Sequence, residues 1–87
     1  MERAKEIVRE WIENGNEIDF LNLCGLGLIE LPEIPNNVRY LYCYNNQLTK
    51  LPDNLQNLEY LSCENNQLTS LPNNLQNITY LDCSWNN

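Results

Sequence analysis

The sequence predicts an α/β solenoid, in which the chain winds through similar coils instead of folding around one deep core. The segment from Leu41 to Pro52 returns twenty residues later, from Leu61 to Pro72, and begins a third time at Leu81. An amphipathic, charged segment precedes the first coil. A fixed period of this size is typical of repeat architectures, in which each coil packs on its neighbours.

Length and charge limit the domain count and the classes of partner. The chain has 87 residues, with twelve acidic and five basic side chains and a formal net charge of −7, so we expect one domain over residues 1–87. This charge opposes phosphate backbones and anionic membranes, and no apolar run reaches the roughly 18 residues of a membrane span. We therefore expect neither a nucleic-acid nor a membrane partner. The charged N-terminus lacks the apolar segment of a secretory signal, which predicts a cytoplasmic location.

Residues 2–14 are predicted to form a capping α-helix. Its apolar residues fall at helical spacing and form one stripe: Ala4, Ile7, Val8, Trp11 and Ile12. Gly15 is a candidate helix stop because glycine adopts the left-handed conformation that ends helices. The helix is either a lid over the first coil or a surface that docks a partner or a membrane. We favour the lid, because a solenoid end must be covered and the other face of the helix is acidic.

The repeats define four coils. Residues 18–37 form a degenerate first repeat, residues 38–57 and 58–77 are full repeats, and residues 78–87 are a truncated last repeat. Alternation along a strand sends Leu41 and Cys43 to the interior and Tyr40 and Tyr42 to the opposite face. We therefore expect a concave parallel sheet of about four short strands. The segments between strands, rich in Pro and Asn, predict a convex side of turns and 3₁₀ pieces.

Asparagine also recurs at one position of the repeat. Asn46, Asn66 and Asn86 are expected inside the corners, where a side-chain amide satisfies backbone groups, and their neighbours Asn45 and Asn65 are expected in solvent.

The cysteines are expected to act as packing residues. Cys43, Cys63 and Cys83 share an inward position, so Cys24 is the one thiol expected to react in the folded protein. There is no histidine, and three aligned core thiols do not make a tetrahedral site, so we expect no metal and no cofactor. No nucleophile–base pair or phosphate-binding glycine loop is present. The sequence therefore predicts a protein that is not an enzyme.

The concave face is the candidate binding surface. It displays an excess of aromatic residues, with acidic residues toward the C-terminal end. The face consists of Phe20, Asn22, Tyr40, Tyr42, Tyr44, Tyr60, Ser62, Glu64, Tyr80 and Asp82. Exposed aromatic residues are typical of interface centres. They also stabilise neighbouring strands, so the two interpretations stay open together.

The C-terminal edge is the second candidate. The last repeat stops just after its strand, so Leu81, Cys83 and Trp85 are expected at an open end, which soluble proteins normally cover. Either the chain forms a homodimer through this edge, with Trp85 as the anchor, or it is a piece of a longer array.

The phrase L-x-C-x-x-N-x-L-T-x-L-P at a period of twenty, after a charged helix, resembles the short leucine-rich-repeat proteins of giant DNA viruses of the marseillevirus type. It is more distantly similar to the leucine-rich-repeat domains of bacterial effectors. The resemblance implies an interaction module made in an infected cell and acting in the host cytoplasm. The ubiquitin-ligase domain of many effectors has no matching residues here. The predicted function is binding of a host or viral protein through the concave face; the alternative is a self-assembling, virion-associated structural component.

Overall fold

The computed structural model describes residues 1–14 and 20–86, which form one helix and four strands. The elements are α1 (Glu2–Glu13), β1 (Phe20–Asn22), β2 (Tyr40–Tyr42), β3 (Tyr60–Ser62) and β4 (Tyr80–Asp82). The proposed helix stop at Gly15, the start of the first repeat at residue 18 and the last residue of the fourth repeat lie outside the described residues.

The four strands form one parallel sheet in the order β1-β2-β3-β4. Leu21, Leu41, Leu61 and Leu81 are register partners, so each strand is shifted by one period of twenty residues. The ladder continues past the strand ends, where the amide of Cys43 donates to the carbonyl oxygen of Ser62 at 2.8 Å. The predicted parallel sheet of a leucine-rich-repeat solenoid is confirmed.

The interior is a column of leucine and cysteine side chains. Leu41, Leu61, Cys43 and Cys63 are each 0% exposed. Leu51, Leu55 and Leu58 continue this core around the convex half of the coil, as the sequence predicts. Because every interior side chain also touches the coil before or after it, the core belongs to the stack and not to any single coil.

The inner corners are held by asparagine amides. Asn66 is 8% exposed, and its Nδ2 donates to the carbonyl oxygens of Cys43 and Cys63 at 3.1 and 3.0 Å. Its Oδ1 accepts from the amide of Leu48 at 3.0 Å. Asn46 makes the equivalent set of bonds one coil earlier, and Asn45 and Asn65 are exposed. The predicted structural role of the asparagine column is confirmed.

The convex side differs from the prediction in one respect. It consists of turns and bends, and none of the described residues lies in a 3₁₀ helix. Single bonds of 3₁₀ spacing do occur, such as the one from the Leu58 amide to the Leu55 carbonyl oxygen at 3.1 Å. They do not propagate, because convex asparagines bond to the preceding coil instead. Asn54 Nδ2 donates to the Ile34 carbonyl oxygen at 2.9 Å, and Asn57 Nδ2 to that of Asn36 at 2.8 Å.

Helix α1 covers the N-terminal end of the core, as predicted. Ala4, Val8 and Trp11 are buried and join the same cluster as Leu21. Ile12 was expected in this apolar stripe but is 56% exposed. The reason is geometric: Ile12 lies roughly 100° around the helix from Trp11, at the margin of the buried stripe. It borders a groove that it shares with Val8 and Pro35.

Candidate functional site: the concave face and the two ends of the solenoid

The aromatic side chains of the concave face form a continuous stack across the sheet. The ring of Phe20 lies 5.3 Å from that of Tyr42, which lies 5.3 Å from Tyr60, and Tyr60 stacks on Tyr80 at 4.3 Å with an interplanar angle of 6°. Tyr40 stacks beside Tyr60 at 6.0 Å. Each such pair contributes about 0.5–1.5 kcal/mol beyond its buried area. The stack therefore stabilises the sheet in addition to shaping its surface.

The stack runs diagonally at its N-terminal end. Phe20 and Tyr40 are register partners, yet the ring of Phe20 contacts Tyr42, two residues further along β2. Diagonal neighbours on adjacent strands are within reach of aromatic side chains, which lean along the strand direction. Strand register alone did not indicate this pairing.

Most of the predicted concave residues are accessible. Phe20 and Tyr80 are 43% and 46% exposed, Asn22 is exposed, and Tyr40, Tyr42, Tyr44 and Tyr60 are half-buried. Burial, together with the neighbouring Tyr80, raises the pKa of Tyr60. The tyrosine hydroxyl therefore stays protonated near neutral pH and can both donate and accept.

Ser62 is a correction to the predicted surface. It lies on the concave side of β3 but is only 5% exposed, because its short side chain lies between the register partners Tyr42 and Asp82. Its Oγ donates to Oε1 of Glu64 at 2.5 Å. Ser62 thus orients Glu64 and does not itself present a surface group.

Carboxylates border the C-terminal part of the stack. Ser84 donates from its hydroxyl and its amide to Oδ1 of Asp82, at 2.7 and 3.1 Å, and these bonds lower the pKa of Asp82. Asp82 and Glu64 are both half-buried. On the rim, Arg39 Nε donates to Glu59 Oε2 at 2.7 Å and lowers the pKa of Glu59. The surface beside the tyrosines is therefore negatively charged at neutral pH.

The C-terminal edge exposes apolar side chains, as predicted. Leu81 is 39% exposed and Trp85 is 81% exposed. Cys83 is exposed, as expected at the open end, and this corrects the expectation that Cys24 alone is accessible to a thiol reagent. No further coil of the described chain packs on β4, so Cys83 is an accessible thiol in addition to the half-buried Cys24.

The buried thiols have altered acidity. Burial raises the pKa of Cys63 to about 12 and holds that of Cys43 well above its usual value. Burial also raises the pKa of Cys24, while bonds from Tyr44 offset part of this shift. All four cysteines are free, and none of these pKa shifts produces a thiolate at neutral pH. Cys43 and Cys63 therefore act as packing groups.

Trp85 occupies an unusual backbone conformation that the sequence analysis missed. Its φ is +59°, and the aligned positions in the preceding coils, with φ between +57° and +67°, hold Gly25, Asn45 and Asn65. Glycine and asparagine tolerate the left-handed region, whereas a bulky residue there is strained. The column Gly-Asn-Asn-Trp is visible in the sequence. Only the left-handed geometry shows why its last member is an anomaly.

A cavity of about 210 Å³ lies where α1 meets β1, at the N-terminal end of the concave face. It is lined by Ile7, Glu10, Trp11, Asn14 and residues 20–22. The Nε1 atom of Trp11 is buried and has no hydrogen-bond acceptor among residues 1–14 and 20–86. Helical spacing predicts Trp11 as part of the apolar stripe and carries no information about a partner for its indole N–H.

Within residues 1–14 and 20–86, no group of three or more metal-ligating side chains comes together. No helix in the same ranges has the length and apolarity to cross a membrane.

Comparison with known proteins supports the repeat assignment. The family described as Leucine Rich repeats (2 copies) matches residues 36–74, which contain β2 and β3 and just under half of the chain. No curated protein matches the chain. The family match and the parallel sheet at a period of twenty together identify the fold.

Proposed function

We propose that this leucine-rich-repeat chain is a non-enzymatic module that binds a protein partner through its concave face. Leucine-rich-repeat domains generally mediate protein–protein interactions. The observation that carries the proposal is the accessible aromatic stack from Phe20 to Tyr80. Tyrosines are enriched at binding hot spots because they combine a large apolar area with a polar hydroxyl.

The charge of the surface favours a basic partner segment. Glu64 and Asp82 lie close enough to Tyr60 to contribute to the raised pKa of its hydroxyl, and the chain carries a net charge of −7. Complementary charge speeds encounter and suppresses wrong partners. An arginine or lysine in the partner would also gain from contact with a tyrosine face. The proposed ligand is therefore an extended protein segment that carries cationic residues.

The test begins with proximity labelling, followed by affinity measurement on each purified candidate. The double substitution Tyr42→Ala with Tyr60→Ala is expected to lower the affinity for the true partner by at least ~100-fold, because each hot-spot residue contributes more than about 1.4 kcal/mol. Tyr42→Phe with Tyr60→Phe keeps the stacking rings and separates loss of the hydroxyls from loss of the surface.

Ile29→Ala is the matched control, because Ile29 is 65% exposed and lies outside the sheet. Its affinity should equal that of the original chain, and circular dichroism should show all variants folded. If the double alanine variant binds every candidate with unchanged affinity, the concave face is not the binding surface.

A second candidate function is self-assembly through the C-terminal edge, and Trp85 is the observation that favours it. Trp85 is 81% exposed and has a left-handed backbone conformation of the kind that costs about 1–3 kcal/mol, which burial of its ring against a second copy would offset. Antiparallel pairing of two β4 strands about Leu81 would place Tyr80 opposite Asp82 of the second copy, so that no carboxylate faces another. Because α1 covers the other end of the core, such pairing closes at a dimer.

Sedimentation equilibrium at micromolar protein tests this second function. The original chain should be a dimer, and Trp85→Asn should be monomeric, because it removes the anchor and restores the residue of the preceding coils. Ile29→Ala removes a comparable exposed side chain elsewhere and should leave the mass unchanged. A monomeric original chain would exclude self-assembly through this edge.

The viral origin of the chain and its location in the cell are also proposals. The motif resemblance supports a viral module that binds a protein of the infected host, and we propose that it acts in the cytoplasm. All four cysteines are free, which suits a reducing compartment. Fluorescent tagging of the chain would show its location in infected cells, and a signal confined to secretory compartments would contradict the proposal.

A further inference from the structure

We propose that the concave face holds one arginine side chain of the bound segment at a fixed place around Ser62. The guanidinium group lies against the rings of Tyr42 and Tyr60 and between the carboxylates of Glu64 and Asp82. The inference rests on the proposed function, because it names the side chain that the concave face recognises. It adds two restrictions: the cation is arginine in preference to lysine, and it binds on the C-terminal half of the sheet.

Strand alternation and register place these four side chains around Ser62. Tyr60 and Glu64 precede and follow Ser62 by two residues, so they lie on the same side of the chain. The bond of 2.5 Å from Ser62 Oγ to Glu64 Oε1 agrees with this placement. Tyr42 and Asp82 are the register partners of Ser62 on the neighbouring strands. Because Ser62 is only 5% exposed, its four larger neighbours form the accessible surface at this place.

The aromatic stack changes direction at this place. The rings of Phe20 and Tyr42 are nearly parallel, at 17°, and so are those of Tyr60 and Tyr80, at 6°. Between the two pairs, the rings of Tyr42 and Tyr60 are tilted by 58° at a centroid distance of 5.3 Å. Tilted rings cover less of each other than stacked rings, so aromatic surface is open to a ligand beside Ser62. A guanidinium group is attracted to such surface.

Serine side chains orient both carboxylates. Ser62 donates to Oε1 of Glu64, and Ser84 donates from its hydroxyl and its amide to Oδ1 of Asp82. Among residues 1–14 and 20–86, no donor bonds to the second oxygen of either carboxylate. Each carboxylate therefore has one oxygen that fixes its orientation and one that can accept from a ligand.

The local charge favours a cation. Burial is the main cause of the raised pKa of Tyr60, and the negative charges of Glu64 and Asp82 add to it. Both carboxylates therefore lie within electrostatic range of that hydroxyl. The concave positions carry no lysine or arginine, and on the rim Arg39 donates to Glu59. A cation from a partner would compensate the two carboxylates, which is the charge complementarity typical of specific interfaces.

The arrangement of the carboxylates favours arginine over lysine. Glu64 and Asp82 lie diagonally on neighbouring strands, two positions apart in register. A guanidinium group is planar and has five N–H donors, so it can donate to both carboxylates while its face rests on a tyrosine ring. An ammonium group is a compact, strongly hydrated charge and lacks the flat surface.

The test uses small probes and needs no identified partner. N-acetyl-arginine methylamide is titrated into the ¹⁵N-labelled chain, and the backbone amides of Ser62 and Glu64 should shift in a saturable way. The lysine analogue should bind at least ~3-fold more weakly. The citrulline analogue has the shape of arginine without its charge and should bind at least ~10-fold more weakly. The amide of Ile29, outside the sheet, is the internal control.

Isosteric substitutions test the carboxylates. Asp82→Asn and Glu64→Gln keep an oxygen that accepts from Ser84 and Ser62, so the fold should be unchanged. Each should bind the arginine probe at least ~5-fold more weakly, because a hydrogen bond to a charged group is lost. Glu30→Gln is the matched control. It changes the net charge by the same amount at an exposed position outside the sheet and should bind as the original chain does.

Two substitutions at Tyr42 test the aromatic surface. Tyr42→Leu should weaken binding of the arginine probe by ~3-fold, because the attraction between the cation and the ring is lost. Tyr42→Phe keeps the ring and should bind within ~2-fold of the original chain. Circular dichroism verifies that both variants are folded.

The proposal is overturned if the arginine probe causes no saturable shift up to its solubility limit, or if the citrulline or lysine probe binds as tightly. It is also overturned if Glu30→Gln weakens binding as much as Asp82→Asn does, since net charge would then explain the affinity. These failures would leave the partner experiment with Tyr42 and Tyr60 unaffected, because a partner without an arginine at this place would still bind the concave face. Conversely, unchanged partner affinity in that experiment would reject the concave face as the partner's surface and leave the probe titration intact.

Discussion

At the N-terminal end of the solenoid Leu21 is 1% exposed, whereas at the C-terminal end Leu81, the same position of the repeat, is 39% exposed. The intervening Leu41 and Leu61 are each 0% exposed. Each is the central residue of a three-residue strand. The two ends differ in what covers their outer side: α1 lies against the first coil, and no described residue lies on the outer side of the fourth.

The cysteines show the same contrast. Cys63 is 0% exposed, and Cys83 at the next turn of the repeat is exposed. A repeat position therefore specifies a direction, toward the axis, but burial requires a second coil on the far side. The consequence is that identical substitutions at matched positions should have different costs.

The largest expected difference concerns Leu61→Ala and Leu81→Ala. Leu61→Ala should lower the free energy of unfolding by about 3 kcal/mol through lost burial and a residual cavity. Leu81→Ala should cost less than about 1 kcal/mol, since its side chain is already in contact with water. Urea denaturation measures both. The pair is made in the Trp85→Asn background, so that association does not add to stability.

Equal losses in the two variants would show that the C-terminal end is covered in solution. That outcome would contradict the inferred difference in burial between the two ends.

The asparagine column should give the next largest difference. Asn66→Ala leaves the buried amide of Leu48 without its acceptor and removes one of the two asparagine donors to the carbonyl oxygens of Cys43 and Cys63, and should cost about 2 kcal/mol. Asn86 makes equivalent bonds to the amide of Leu68 and the carbonyl oxygen of Cys63, but at a more open corner. Asn86→Ala should therefore cost less than about 1 kcal/mol, because water replaces the amide. Urea denaturation measures both variants, and Gln67→Ala, at an exposed neighbour, controls for substitution at the corner.

The smallest effect concerns alkaline pH. The pKa of Cys63 is about 12 in the folded chain and 9.0 ordinarily, so the unfolded chain releases this proton first. The resulting stability is fully present below pH 9.0 and is lost as the pH rises toward the folded value of about 12. The slope from one such thiol is about 1.4 kcal/mol per pH unit.

Cys63→Ala should reduce the alkaline loss of stability by up to that slope relative to the original chain. Unfolding free energies between neutral pH and about pH 10 measure the slopes. Identical slopes for Cys63→Ala and the original chain would mean that the burial of Cys63 does not control its ionisation.

Much of the candidate site follows from the sequence because strand alternation and a fixed period place side chains on one face. The register partners Tyr60 and Tyr80 are brought together in this way. The diagonal contacts of Tyr42 with Phe20 and Tyr60 were not predicted, since they depend on how the rings lean. The burial of Ser62 was missed because it depends on the size of its cross-strand neighbours and not on its own direction.

The sequence by itself determined the coil: a period of twenty and the L-x-C alternation set the direction of each side chain, because a strand has only two faces. The tertiary structure alone decided how deeply each side chain is buried. It buried Trp11 with no acceptor among the described residues, left Ile12 in solvent, and placed Trp85 in a left-handed corner. These outcomes depend on contacts between coils and with α1, which lie far apart in the chain and leave no periodic mark.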